Sequence, residues 1–229
     1  MTNPFSLHGR RALVTGANTG IGQAIAMGLA DAGATVVCAG RSASDETVDR
    51  ITKAGGTAAL CHVDFADPMA AQGLFADQNF DILINNAGIG PDIDHCTPSE
   101  VDLENTLSVN LTGTVLFTEE LIGHMTLKGK IINISSKMGS INSCKKSDST
   151  AYRISKAALN MYTQILSIRV KKGLVIAAVH PGWVKTDMGG DRAPVEIPDS
   201  VSGMRNVLAS RTLENTGEFV QYDGQILPW

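Results

Sequence analysis

Tyr152 and Lys156 stand four residues apart on a predicted helix, so their side chains share one face. A phenol has a reference pKa near 10 and is a weak base at neutral pH, but an ammonium held close favours phenolate and lowers that value. Such a pair can give a proton to a carbonyl oxygen or take one from an alcohol. A second stretch with chemical potential is Thr15-Gly16-Ala17-Asn18-Thr19-Gly20-Ile21-Gly22, between an apolar strand and an Ala-rich helix. Its glycines let the backbone turn sharply, so that the N–H groups opening the helix point at a pyrophosphate.

The elements that must hold these residues alternate along the chain. Strands are predicted over Arg11–Thr15, Ala34–Ala39, Thr57–Val63, Phe80–Ile84, Lys130–Ile134, Leu174–Val179 and Glu218–Tyr222. Helices are predicted over Gly20–Asp31, Asp45–Lys53, a short stretch from Pro68, Glu100 to about Met125, Thr150–Val170 and Ile197–Ala209. Alternating strands and helices imply parallel pairing, and apolar runs without alternation imply a sheet covered on both faces. No linker and no fixed-period repeat divides the chain, so residues 1–229 are read as a single doubly wound α/β domain. Its sheet is expected to be seven-stranded and mainly parallel.

Composition narrows the function classes. Hydrophobic residues make up 43% and charged residues 18% of the chain, ordinary values for a globular protein. The formal net charge is -4 and no Lys/Arg block occurs, which argues against a nucleic-acid partner. Cys38, Cys61, Cys96 and Cys144 have neither C-x-x-C spacing nor histidines at metal-ligand spacing, so no metal site is expected. Residues Met1 to Arg11 lack the apolar core of a secretory signal, and no apolar run approaches a membrane span. A cytoplasmic protein without a membrane partner is the expectation.

The glycine spacing is G-x-x-x-G-x-G, and three more motifs follow in order: Asn85-Asn86-Ala87-Gly88, Tyr152-Arg153-Ile154-Ser155-Lys156 and His180-Pro181-Gly182. Together they resemble the short-chain dehydrogenase/reductase family over nearly the whole chain. The resemblance implies a Rossmann fold and exchange of hydride between a nicotinamide cofactor and a small carbonyl or alcohol. It implies a catalytic set of Asn110, Ser136, Tyr152 and Lys156, with Ser136 bonding the substrate oxygen and Lys156 also holding the nicotinamide ribose. Asn110 matches the family asparagine that helps hold a relay water, and an ordinary helix asparagine is the other reading. Cofactor contacts carried over are Gly16, Asn18, Thr19, Gly20, Ile21, Gly22, Asp64, Phe65, Asn86, Ala87, Gly88, Pro181, Gly182, Val184 and Thr186, with Tyr152 and Lys156 themselves. Asp64 matches the adenine-contacting aspartate, and a turn-capping Asp is compatible with that. The two long helices flanking the fifth strand resemble the family's dimer-forming pair, implying a homodimer or homotetramer.

Cofactor preference turns on the end of the second strand. An acidic side chain there would bond the ribose 2′-OH and repel a 2′-phosphate. Gly40-Arg41 removes that repulsion and offers a guanidinium, which favours NADP, with NAD as the alternative. A solvated loop cation is the other reading of Arg41.

Two halves carry different resemblances. Up to about Ile89 the chain resembles 2-dehydro-3-deoxy-gluconate dehydrogenases, through Phe5-Ser6-Leu7, Gly20-Ile21-Gly22-Gln23 and Asp64-Phe65-Ala66-Asp67. From about Gly90 it resembles sniffer and C-factor carbonyl reductases, through Met138-Gly139-Ser140-Ile141, Gly182-Trp183-Val184-Lys185-Thr186-Asp187-Met188-Gly189-Gly190 and the ending Tyr222 to Trp229. A chimera joined near residues 85–90 and a natural divergent member are both readings of this. Ser136 precedes Tyr152 by sixteen positions, more than in many relatives, with the extra residues in Asn142–Ser149, a surface loop beside the cleft. A carbonyl reductase is expected first, a keto-sugar-acid dehydrogenase second, and an inert nucleotide-binding scaffold or regulator third.

Overall fold

Apolar runs too short for helices have to be strands shielded on both sides, and β1 (Arg11–Thr15) is buried from Ala12 onward. With it run β2 (Thr35–Gly40), β3 (Thr57–His62), β4 (Phe80–Asn85), β5 (Met125–Ile134), β6 (Val175–His180) and β7 (Glu218–Gln221). They form one seven-stranded sheet in the order β3-β2-β1-β4-β5-β6-β7. Every adjacent pair is parallel. The computed structural model describes residues 6–41, 45–67, 69, 72–170 and 173–229.

Side chains alternate between two helical layers. Ala12, Val14, Ile84 and Ile132 face α1 (Gly20–Asp31), α2 (Asp45–Lys53) and, further along the chain, the helix Ile197–Ser210. Leu13, Leu83, Ile131 and Ile176 face the opposite layer. That layer holds α3 (Glu100–Leu107), α4 (Thr114–Ile122) and α5 (Thr150–Arg169), which contribute Phe117, Leu121 and Leu166 to its core. The helix Ile197–Ser210 is α6. Burial of each such side chain contributes roughly 1.5–3 kcal/mol, so the sheet is a rigid platform for whatever its upper edge carries. Chain order reverses at β1 and β4, opening a crevice beyond their carboxyl ends.

Three expectations about elements change. The helix expected from Glu100 to Met125 is α3 and α4 joined by a π-helical segment, Ser108–Gly113. There Thr114 Oγ1 donates to the Val109 carbonyl at 3.2 Å, a side-chain bond five residues back that suits the widened turn. Met125 opens β5 rather than ending a helix, because Phe80 pairs with Met125 and Ile82 with Lys130, and a bulge with Lys128 at φ 64° absorbs the difference. The short helix expected from Pro68 falls partly on Pro68, Ala70 and Ala71, outside the described residues, and the described ones from Gln72 to Asp77 form turns. Phe5 also lies outside them. Among the described residues no helix is long and apolar enough to cross a membrane.

Candidate active site

Two strand ends are stitched together at the crevice. Thr15 Oγ1 accepts the N–H groups of Asn86 and Ala87, both at 2.9 Å. Asn86 Nδ2 donates back to the carbonyls of Thr15 at 3.0 Å and Gly16 at 3.1 Å. Gly16 has φ 63°, and a Cβ on it would lie 2.9 Å from Ala87 Cα. A Cβ on Gly22 would lie 2.1 Å from the Gly16 carbonyl oxygen. Only bare backbone fits at both places. The N-cap of α1, Thr19, makes no side-chain cap bond, and no acid occupies the first turn. The opening N–H groups are thus left for an anion, with the helix dipole adding to the attraction.

Gly16, Gly22 and the residues between Asn18 and Ile21 line a cleft of about 570 Å³. So do Arg41, Asp64, Phe65, Asn86, Ala87, Gly88, Tyr152, Lys156, Pro181 and Thr186. Four expected residues do not line it. Asn110 and Ser136 are buried against lining residues, Asn110 bonded to Ile89 and Ser136 to Tyr152, Gly182 turns the chain, and buried Val184 bridges to Val195. The bridge bonds run from Lys185 N–H to the Val195 carbonyl at 2.9 Å and from Val195 N–H to the Trp183 carbonyl at 3.2 Å, so they hold Val184 in place without using its own N–H. Asp64 does cap a turn, its Oδ1 accepting Ala66 N–H at 3.0 Å, while remaining on the cleft.

At the inner end, α5 presents the pair one turn apart. Lys156 is 4% exposed, its Nζ donating to the Ile134 carbonyl at 2.9 Å and lying 5.6 Å from the Tyr152 ring centroid. The expectation that Lys156 lowers the phenol is corrected here. Burial pushes Tyr152 up to about 12, with hydrogen bonding from Ser136 pulling the other way. Burial also pushes Lys156 down to about 8. The physical reason is direction as well as desolvation: the buried ammonium points at Ile134, and the half-buried phenol has lost part of its hydration. A phenol held protonated this way is set up to donate a proton to a substrate oxygen.

The two serines separate cleanly. Ser135 Oγ is spent on Asn160 Oδ1 at 2.5 Å, whereas Ser136 Oγ accepts Met138 N–H at 3.1 Å and bonds toward Tyr152. Asn110, on the π-helical segment, uses its amide on the backbone of Ile89, accepting at 2.7 Å and donating at 2.8 Å, and donates to Ser155 Oγ at 3.1 Å. Its side chain therefore ties the Asn86–Ile89 turn to α5. Beneath the site Asn85 Nδ2 bonds Thr118 and Asn133, and Asn133 Nδ2 bonds Thr163, each at 2.8 Å. This buried chain fixes β4 and β5 against α4 and α5.

Sequence reasoning missed some holders. Thr47, fully buried, donates to the Ala17 carbonyl at 2.8 Å and accepts from Gln23 Nε2 at 3.0 Å. Gln23 also donates to the Asn18 carbonyl at 3.1 Å. A buried threonine on a strongly amphipathic helix was a signal that something polar lay opposite it.

The profile of the short chain dehydrogenase family matches residues 10–196. A solved structure of a protein provisionally named 2-deoxy-d-gluconate 3-dehydrogenase from Agrobacterium tumefaciens, with bound NADP, is 35% identical. It covers 96% of this chain and 97% of its own, with a TM-score of 0.81. The carbonyl reductase Sniffer of D. melanogaster is 29% identical, covers 97% of this chain and 100% of its own, and has a TM-score of 0.87. The C-signal protein of Myxococcus xanthus is 35% identical over 158 residues, 65% of this chain and 92% of its own. With a matching family profile over most of its length and a sheet, crevice and Tyr–Lys pair to go with it, the chain belongs to the short chain dehydrogenase family and is an oxidoreductase.

Proposed function

We propose that the protein is an NADP(H)-dependent reductase of small lipophilic aldehydes and ketones. The observation carrying this reading is half-buried Tyr152, bonded by Ser136, at the inner end of a cleft whose outer end is an uncapped helix N-terminus. The residues present fit a dinucleotide: backbone at Gly16 and Gly22 leaves room for a pyrophosphate, and exposed Arg41 lines the same cleft with no acid at its position. When bound, the cofactor supplies the hydride. Ser136 and Tyr152 would hold the carbonyl oxygen, and Tyr152 would release its proton to it. Lys156 would compensate the negative charge left on the phenol and hold the ribose. Ile89, Met188 and the ring of Tyr152 make the cleft wall beside that oxygen largely apolar.

A carboxylate substrate would need a fixed fork of donors. Lys185 is tied to Glu196 at 2.6 Å and Arg153 to Asp148 at 2.6 Å. Lys145, Lys146 and Arg192 are exposed on loops, where an ammonium or guanidinium is free to move. In a competition assay, an aromatic aldehyde should be reduced in preference to 2-keto-3-deoxy-gluconate. Preference for the acid, abolished when Lys145 and Lys146 become Ala, would establish the keto-sugar-acid reading and make Asn142–Ser149 the substrate clamp. Exposed Ile154, Met161, Ile165 and Ile168 on one side of α5 support a homodimer or homotetramer.

A further inference from the structure

Tyr152 sits in the first turn of α5, where a helix has N–H groups without partners of their own. Ser149, the N-cap, has φ 55° and gives no side-chain bond to the helix. The donors are met from another part of the chain. Asp92, 1% exposed, accepts the Ala151 N–H at 2.7 Å through Oδ2 and the Tyr152 N–H at 3.3 Å through Oδ1. A carboxylate gains there from both direct bonds and the helix dipole.

The segment around Asp92 is laced to the same turn. Asp94 N–H donates to Ser149 Oγ at 3.1 Å, and Ser149 N–H donates to the His95 carbonyl at 2.7 Å. Thr150 Oγ1 donates to the Cys96 carbonyl at 2.7 Å. Gly90 lies against the Tyr152 ring, where a Cβ would fall 3.1 Å from Cδ2.

We propose that Asp92 is a positioning residue: its carboxylate locks residues 90–96 onto the first turn of α5 and so fixes the direction of Tyr152 relative to Ser136 and Lys156. The inference rests on Tyr152 being the proton donor. Without the carboxylate, buried N–H groups lose their acceptor and the helix start loosens. Tyr152 moves with that turn. Lys156 does not, because it lies one turn deeper and its ammonium is anchored on Ile134. The selective consequence is a loss of proton transfer with the ribose-holding cation still in place. A displacement of about 1 Å at a reacting group costs on the order of 10²-fold in rate.

The test compares Asp92→Ala and Asp92→Asn with the wild type in the full chain, reading kcat, KM, NADPH affinity and amide hydrogen exchange. Asp92→Ala should lower kcat by about 10- to 10²-fold, leave NADPH affinity nearly unchanged, and speed exchange at Ala151 and Tyr152 alone within α5. Asp92→Asn keeps one acceptor oxygen and should recover much of kcat. If the Ala variant does not fold, an Asn variant with faster exchange at Ala151 or Tyr152 and normal NADPH affinity supports the proposal, and one with wild-type exchange at both overturns it. Parallel loss of kcat and NADPH affinity, or unchanged exchange at Ala151 and Tyr152, also overturns it. A wild type that reduces no carbonyl would instead refute the reductase reading, and the exchange measurement would still decide the clamp.

Discussion

Replacing Tyr152 with Phe should remove turnover, by 10²-fold or more as expected for a general acid, while NADPH affinity stays nearly intact. The substitution deletes only the hydroxyl, so ring packing against Gly90 and the position of Lys156 are kept. Lys156→Ala should damage turnover and cofactor affinity together, since the same ammonium serves the phenol and the ribose. Burial brings Lys156 down to about 8, so its proton is present at neutral pH and lost on the alkaline side. Reduction should accordingly decline above about pH 8 in wild type. A Tyr152→Phe enzyme keeping more than about a tenth of the activity would contradict general acid catalysis by this residue.

Gly22→Ala should be the most damaging change at the other end of the cleft. Its methyl would lie 2.1 Å from the Gly16 carbonyl oxygen and 2.3 Å from Asn86 Nδ2, so the turn or the Asn86 stitch has to move. Overpacking of this kind costs roughly 1–3 kcal/mol in stability. Affinities for NADPH and NADH should fall together, by on the order of 10²-fold, because both share the pyrophosphate. Arg41→Ala is the contrast: it should weaken NADPH selectively and leave NADH nearly unaffected, as expected for a contact to a 2′-phosphate. Fluorescence titration of both nucleotides, with thermal melts alongside, measures this. Unchanged nucleotide affinity in Gly22→Ala would remove the cradle from the account, and an unchanged NADPH-to-NADH ratio in Arg41→Ala would return Arg41 to the solvated surface.

Much of this was legible in the sequence because the signals were local. Unbroken apolar runs such as Ala12–Val14 and Ile82–Ile84 mark strands covered on both faces, and the buried faces follow from their alternation. Tyr152 and Lys156 needed only helical spacing to be placed together. What stayed hidden depends on partners distant in the chain. The π-helical turn at Asn110 looks like plain helix by periodicity, and its amide finds Ile89 only once β4 and α4 are side by side. Lys128, at positive φ in the bulge of β5, gives no local cue that Met125 already belongs to the strand. Asp92 reads as a loop acid, and its burial follows from a helix that begins nearly sixty residues later. The phenol's upward shift follows from desolvation, which spacing does not reveal.

Whether this cleft passes hydride to a carbonyl with Tyr152 as proton donor is decided by stoichiometry. NADPH and an aromatic aldehyde are mixed with the wild-type protein, nicotinamide absorbance is followed, and the alcohol formed is quantified against the NADPH consumed. Continuous turnover with one alcohol for each NADPH is the expected result. Tight NADPH binding without consumption, across aldehydes, ketones and keto acids alike, would contradict it and leave a nucleotide-binding scaffold.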